Sequence, residues 1–170
     1  MPILAALRRW LADYHRRHAA PKARAKPNTF AALFATWNIR HFRADEFLVM
    51  GGSHVSRGSR AFGLNAQPPS ALWRNMEPTA KVLDELRERL GTPIHTLSAY
   101  RSPAYNRAIG GARRSQHLAF RAVDFVADRG SPREWAAELR RLRTEGLFKG
   151  GIGTYRTFVH IDTRGTNRDW

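Results

Sequence analysis

Two short apolar stretches each carry polar side chains that a buried strand tolerates only for a purpose, and they constrain this chain most. In LAFRAVDFV, residues 118–126, the residues Ala122, Val123, Phe125 and Val126 predict a strand over 121–127 that holds Asp124 on a rigid element. In FVHID, residues 158–162, strand geometry turns Val159 and Ile161 to one face and His160 and Asp162 to the other. His117 precedes Asp124 by six intervening residues. Two imidazoles and a carboxylate, from His117, Asp124 and His160, are donors that zinc accepts, with a fourth tetrahedral position left for water. A chain with seven histidines places two of them near an aspartate by chance fairly often. The surrounding segments therefore have to carry the argument.

The chain has no cysteine, so disulfides and thiolate ligands are excluded and His and Asp are the natural metal donors. Its 170 residues, 42% of them hydrophobic, suffice for one folded domain with a real core. The net charge of +15 implies an anionic partner or surface, or plain solubility. That charge is spread out. Residues 1–26 carry seven Lys or Arg against Asp13 alone, and the rest holds 22 basic and 13 acidic side chains. No helix-turn-helix, zinc-finger or RNA-binding aromatic motif accompanies it, so nucleic acid is not the expected partner. No apolar run approaches the length of a membrane span, so no transmembrane segment is expected.

The periodicities divide the chain into a basic amphipathic helix and linker over 1–29 and a domain over 30–170. Ile3, Leu4, Leu7, Trp10, Leu11 and Tyr14 recur at helical spacing among arginines, and PKARAKP (21–27) ends that helix. The aromatic run 30–39 starts the domain, 41–48 suggests a short helix, and 51–69 reads as a long loop, either ordinary surface or a wall of a cleft. Residues 69–91 predict a single helix with Val82, Leu83, Leu86 and Leu90 inward and Gly91 as its cap. IHTLSAY (94–100) predicts a strand, and Ser102–Pro103 start a short helix that ends at Gly110–Gly111. Ser131 and Glu134 form a predicted capping box with Pro132 in the first turn of a helix closed by Gly146; Trp135, Leu139 and Leu142 face the core. GGIGTY (150–155) predicts a tight turn before the last strand. Helices and strands mix without regular alternation, so the fold class is α+β.

Several segments, in this order, resemble one family: SAYRSPAYN (98–106), GG..RSQH......D (110–124), GGIGTY (150–155) and FVHIDTRG...DW (158–170). They look like motifs of the M15 peptidases, the zinc D-Ala-D-Ala carboxypeptidases and murein endopeptidases, most similar to the small C-terminal-type peptidase domain. The resemblance is strong over 93–170, weaker back to about residue 38, and does not cover the first thirty residues. It implies a Hedgehog/D,D-peptidase-like fold, with a small antiparallel sheet flanked by helices around one zinc ion. It carries the metal ligands onto His117, Asp124 and His160, an oxyanion- or carboxylate-binding arginine onto Arg101, and a substrate-contacting serine onto Ser115. Tyr155 would either donate a hydrogen bond to substrate or cap the GGIG turn. The implied activity is zinc-dependent hydrolysis, through an activated water, of D-amino-acid-containing bonds in the stem peptides or cross-links of peptidoglycan. The alternative is a peptidoglycan-binding or phage structural module that keeps the fold without turnover.

The sequence departs from the family pattern at two places. Many members have a glycine three residues after the first histidine, where this chain has Phe120, which either reshapes the cleft or closes the core. The carboxylate or second histidine that often activates the water, three or two residues before the last histidine, is replaced by Thr157 and Phe158, and neither takes a proton at neutral pH. Asp162 is the substitute candidate for the base, against a role behind the metal or in a salt bridge to Arg164. His95 and His54 are weaker candidates. The N-terminus places apolar residues before its charges, the reverse of a secretory signal. A protein acting at the cell wall or periplasm would then need another export route, release by lysis, or a phage particle.

Overall fold

The computed structural model describes residues 28–170, so the helix expected at the N-terminus and its basic linker lie outside the described residues. The first helix, α1 (Phe30–Phe34), is capped by Thr29, whose Oγ1 accepts from Ala32 N at 3.1 Å. Phe30, Phe34, Trp37, Phe42 and Phe47 are all buried and make the aromatic end of the core. The short helix expected at 41–48 is a 3-10 turn, Ala44–Phe47. The long loop holds only α2 (Gly52–Val55) before residue 70. Asn65 ties this loop down: its Nδ2 donates to the Met50 and Tyr100 carbonyls, and its Oδ1 accepts from Ser102 N at 2.8 Å.

The helix expected over 69–91 is divided. Ser70–Met76 is a 3-10 helix, and the α-helix, α3, runs Glu77–Leu90. Pro78 in its first turn has no N–H to bond back one turn, so an α-ladder cannot pass through it and starts afresh there. Val82, Leu83 and Leu86 are buried, and Gly91 closes the helix in the left-handed conformation. The remaining elements are β1 (Ile94–Ser98), α4 (Pro103–Ala108), a 3-10 turn at Gln116–Ala119, β2 (Ala122–Ala127), α5 (Pro132–Thr144), β3 (Gly151–Thr154), β4 (Val159–Asp162) and β5 (Arg168–Asp169). Ser102 caps α4 through Tyr105 N as its sequence predicts. The box on α5 is half formed: Ser131 Oγ accepts from Glu134 N, but the Glu134 carboxylate accepts from the Ser131 hydroxyl at 2.8 Å rather than from its backbone.

The protein is mixed α+β. Its five strands run in the order β1-β2-β4-β3-β5, antiparallel except for the final pair, where the short β5 lies parallel to β3. α5 lies against α3, β3 and β4, burying Trp135, Leu139 and Leu142. Each such side chain removed from water contributes about 2 kcal/mol. Val123, Phe125, Ile152, Val159 and Ile161 are buried with them in one core. Because strand side chains alternate, Asp124 and His160 are left on the opposite face. There they form a cross-strand pair, with Gly153 next to His160 on the following strand.

GGIGTY is therefore a strand and not the expected tight turn; the chain reverses later, between Tyr155 and Phe158. The glycines serve close approach. A Cβ on Gly151 would lie 2.6 Å from Asp162 Oδ2, and one on Gly153 would lie 2.6 Å from Trp170 Nε1.

Candidate metal centre

Each of the three candidate ligands arrives on a different element. Asp124 sits mid-strand in β2, His160 mid-strand in β4, and His117 in the 3-10 turn that leads into β2. All three are buried. His117 Nε2 lies 3.2 Å from Asp124 Oδ1 and 3.2 Å from His160 Nδ1, and the latter two atoms lie 2.8 Å apart. Bonds of about 2.0–2.1 Å around tetrahedral zinc put neighbouring donors about 3.3 Å apart, so this triangle is close to one face of such a site.

The outward atoms are tied as well. His117 Nδ1–H donates to the Ala99 carbonyl at 2.6 Å, which leaves the Nε2 lone pair bare toward the triangle. His160 Nε2–H donates to Asp162 Oδ2 at 3.1 Å, which turns Nδ1 inward in the same way. Asp124 presents Oδ1 to the histidines while its Oδ2 pairs with Arg101 Nη2. A β-bulge in β1, between Thr96 and Ser98, sets Ser98 opposite Asp124, and Ser98 Oγ accepts from Arg101 Nε at 3.1 Å. The residues present thus fit a divalent cation in both donor chemistry and spacing.

The electrostatics follow from this enclosure. Burial pushes the His117 pKa down, so its ring is neutral and ready to donate a lone pair. Burial alone would raise Asp124, but the adjoining His117 and His160 hold its carboxyl well below the usual carboxylate range. For His160, burial opposes the charge, yet hydrogen bonds to Asp124 and Asp162 outweigh it and raise its pKa. Asp162 is likewise disfavoured by burial but held well below the ordinary range by Arg164, His160 and the Gly151 N–H.

The chain matches the model of the family described as Peptidase M15 over residues 41–162. It belongs to that family. No curated protein and no solved structure matches it. As an M15 chain this is a metallopeptidase, and the buried His117–Asp124–His160 group is where it could hold its metal.

The other expected site residues are placed as follows. Arg101 is 17% exposed and directs Nε and Nη2 at Ser98 and Asp124, so it orients a candidate ligand. Ser115 heads the turn that carries His117, half-buried, and its hydroxyl makes no capping bond. Tyr155 is exposed at the β3–β4 reversal, stacked on Phe158 with centroids 4.3 Å apart, and its hydroxyl accepts from Trp170 Nε1 at 2.9 Å. Thr157 is exposed and Phe158 half-buried.

Asp162, the substitute candidate for the base, is found behind His160 and paired with Arg164. Its carboxylate accepts from Gly151 N, Arg164 N, the Arg164 side chain and His160 Nε2, and it is fully buried. It stands on the ring nitrogen of His160 that faces away from the triangle. From there it fixes the orientation of the His160 ring. His95 pairs with Asp128 on the exposed face of β1, and His54 Nδ1 accepts from Asn65 N; neither joins the cluster. Phe120 closes the core: it is fully buried between Phe30 and Tyr100.

Three further groups adjoin the cluster without having been expected there: the Ala99 carbonyl, Ser98 and Trp170. The first is a backbone atom without a sequence signal. Trp170 had one, in the glycine spacing of GGIG, where small residues make room for a large ring.

Proposed function

We propose that this metallopeptidase is zinc-dependent and hydrolyses D-amino-acid-containing peptide bonds in peptidoglycan, as a D,D-carboxypeptidase or murein endopeptidase, with residues 30–170 as the peptidase unit. One observation carries the reading: two imidazole nitrogens and a carboxylate oxygen converge within 3.2 Å of one another, each braced from behind, in a chain of this family. His117 Nε2, Asp124 Oδ1 and His160 Nδ1 would hold one zinc ion. A zinc ion at such a site polarises the scissile carbonyl and lowers the pKa of water toward neutrality.

The chain's own residues do the rest. Arg101 holds Asp124 in its aim, and from the same place its guanidinium can meet an oxyanion or a substrate carboxylate. Ser115 and Tyr155 flank the ligands in sequence as substrate contacts. The positive net charge favours a carboxylate-rich polymer, which supports action at the cell wall or periplasm.

A second reading has its own support. Asp162 is occupied, Thr157 and Phe158 do not accept protons, and the described cluster contains no fourth acidic or imidazole group. A wall-binding or phage structural module that keeps the fold would need none. One preparation separates the two: metal analysis of the purified protein alongside chromatography of sacculi incubated with it. Zinc at one per chain, with soluble muropeptides or free D-alanine that vanish in H117A or with chelator, supports the enzyme. Zinc and muropeptide affinity without products supports the binding module, and activity untouched by either treatment removes the metal mechanism.

A further inference from the structure

Behind His160 a closed ring of contacts runs through three residues. His160 Nε2–H donates to Asp162 Oδ2 at 3.1 Å. Asp162 Oδ1 accepts from Arg164 Nε at 2.8 Å and from Arg164 N at 3.2 Å. The guanidinium carbon of Arg164 lies 5.4 Å from the centre of the Trp170 ring. The indole returns to His160, with centroids 5.2 Å apart and the planes inclined by 46°.

The indole is itself fixed. Trp170 N donates to the Ile152 carbonyl, its own carbonyl accepts from Thr154 N at 2.9 Å, and its Nε1–H donates to Tyr155. Gly151 and Gly153 leave the space it fills, since a Cβ on either would lie within 2.9 Å of its ring.

We propose that Arg164 and Trp170 are positioning residues for the metal, acting through the orientation of His160; this rests on the reading of His117, Asp124 and His160 as the metal's ligands. A single hydrogen bond at Nε2 settles which nitrogen is bare, but the imidazole can still swing about that bond. Arg164 grips the carboxylate from two directions, and the indole against the imidazole removes the swing, so Nδ1 stays on the triangle. Partners of this kind, one step behind a ligand, change metal affinity by about 10–100-fold when removed.

The test uses the full chain stripped of metal. Zinc affinity is measured by competition with a chromophoric chelator, the visible bands of the cobalt(II) form report ligand geometry, and far-ultraviolet circular dichroism reports the fold. W170L and R164M are expected to weaken zinc about tenfold and to alter the cobalt bands, with W170F close to wild type because it keeps a ring. G153A should behave like W170L, since its new methyl group displaces the indole while every side chain of the network is still present. Should W170L fail to fold, G153A and R164M decide by the same comparison. Wild-type zinc affinity and unchanged cobalt bands in folded G153A and R164M would overturn the positioning role and leave the metal site standing. A wild-type chain that binds neither zinc nor cobalt would sink the metal reading itself, and this inference with it.

Discussion

Phe120 offers a stability test whose sign is unusual. It is fully buried, with its ring 5.6 Å from Phe30 and 6.2 Å from Tyr100, and its backbone is left-handed, with φ 54°. Its N–H closes the turn on the carbonyl of His117. Truncating a fully buried phenylalanine to alanine costs about 3–5 kcal/mol. Alanine keeps the Cβ and so keeps the left-handed strain, about 1–2 kcal/mol for an L residue. Glycine removes the same ring but also the strain, at the cost of some extra freedom in the unfolded chain, about 0.5–1 kcal/mol. F120G is therefore expected to be more stable than F120A by about 0.5–1 kcal/mol, the reverse of the usual order for these two residues. Urea unfolding of both variants with metal chelated measures it, the difference being read from the midpoints at a common slope. F120A equal to or more stable than F120G would refute the claim that this backbone conformation, rather than packing alone, governs the position.

Three further outcomes follow from the structure. For the metal-free protein, His117 has its pKa lowered by folding, so its contribution is complete above the unfolded value of about 6.5 and is lost as pH falls toward its folded value. His160 has its pKa raised, so its contribution is complete below about 6.5 and is lost as pH rises through its folded value. Denaturant midpoints measured with chelator across pH should therefore peak near pH 6.5, whereas zinc affinity should climb as pH rises past the raised His160 value; a stability that rises steadily through pH 8 contradicts the first. D84A should lose about 3 kcal/mol in the same unfolding assay, because the buried Asp84 carboxylate accepts from the backbone N–H groups of Arg40 and His41 and from the Arg40 side chain, and both N–H groups would be orphaned. S131A should cost about 1 kcal/mol by removing the acceptor for Glu134 N at the start of α5, and an unchanged midpoint would show that cap to be idle.

The local elements were legible wherever a short-range signal specifies them. Ser102–Pro103 and Ser131–Pro132 start helices because a hydroxyl acceptor and a proline without N–H suit a first turn and little else. The strand at 122–127 follows from its apolar residues and that at 159–162 from alternation, and their pairing sets Asp124 beside His160. The same local reading failed at GGIG, where glycines suited to a turn are there for close approach by Trp170 and Asp162. It also failed at 69–91, where apolar spacing continues through Pro78 but an α-ladder cannot.

Composition and order along the chain thus determined the set of donors: with no cysteine, only His, Asp and Glu were left to hold a metal, and alternation in FVHID turned His160 and Asp162 away from the apolar face. How these side chains are held was decided by tertiary structure. Asp162 reads from its position two residues past His160 as a base, a group behind the metal or a partner of Arg164, and the fold adds the Gly151 N–H to its Arg164 and His160 contacts. Arg101 reads as an oxyanion- or carboxylate-binding arginine, and the fold adds its contact with Asp124. Alternation is a property of one strand and can be read from its residues, whereas the pairing of Asp124 with Arg101, 23 positions apart, and of Asp162 with the Gly151 N–H joins separate segments and forms only with the sheet.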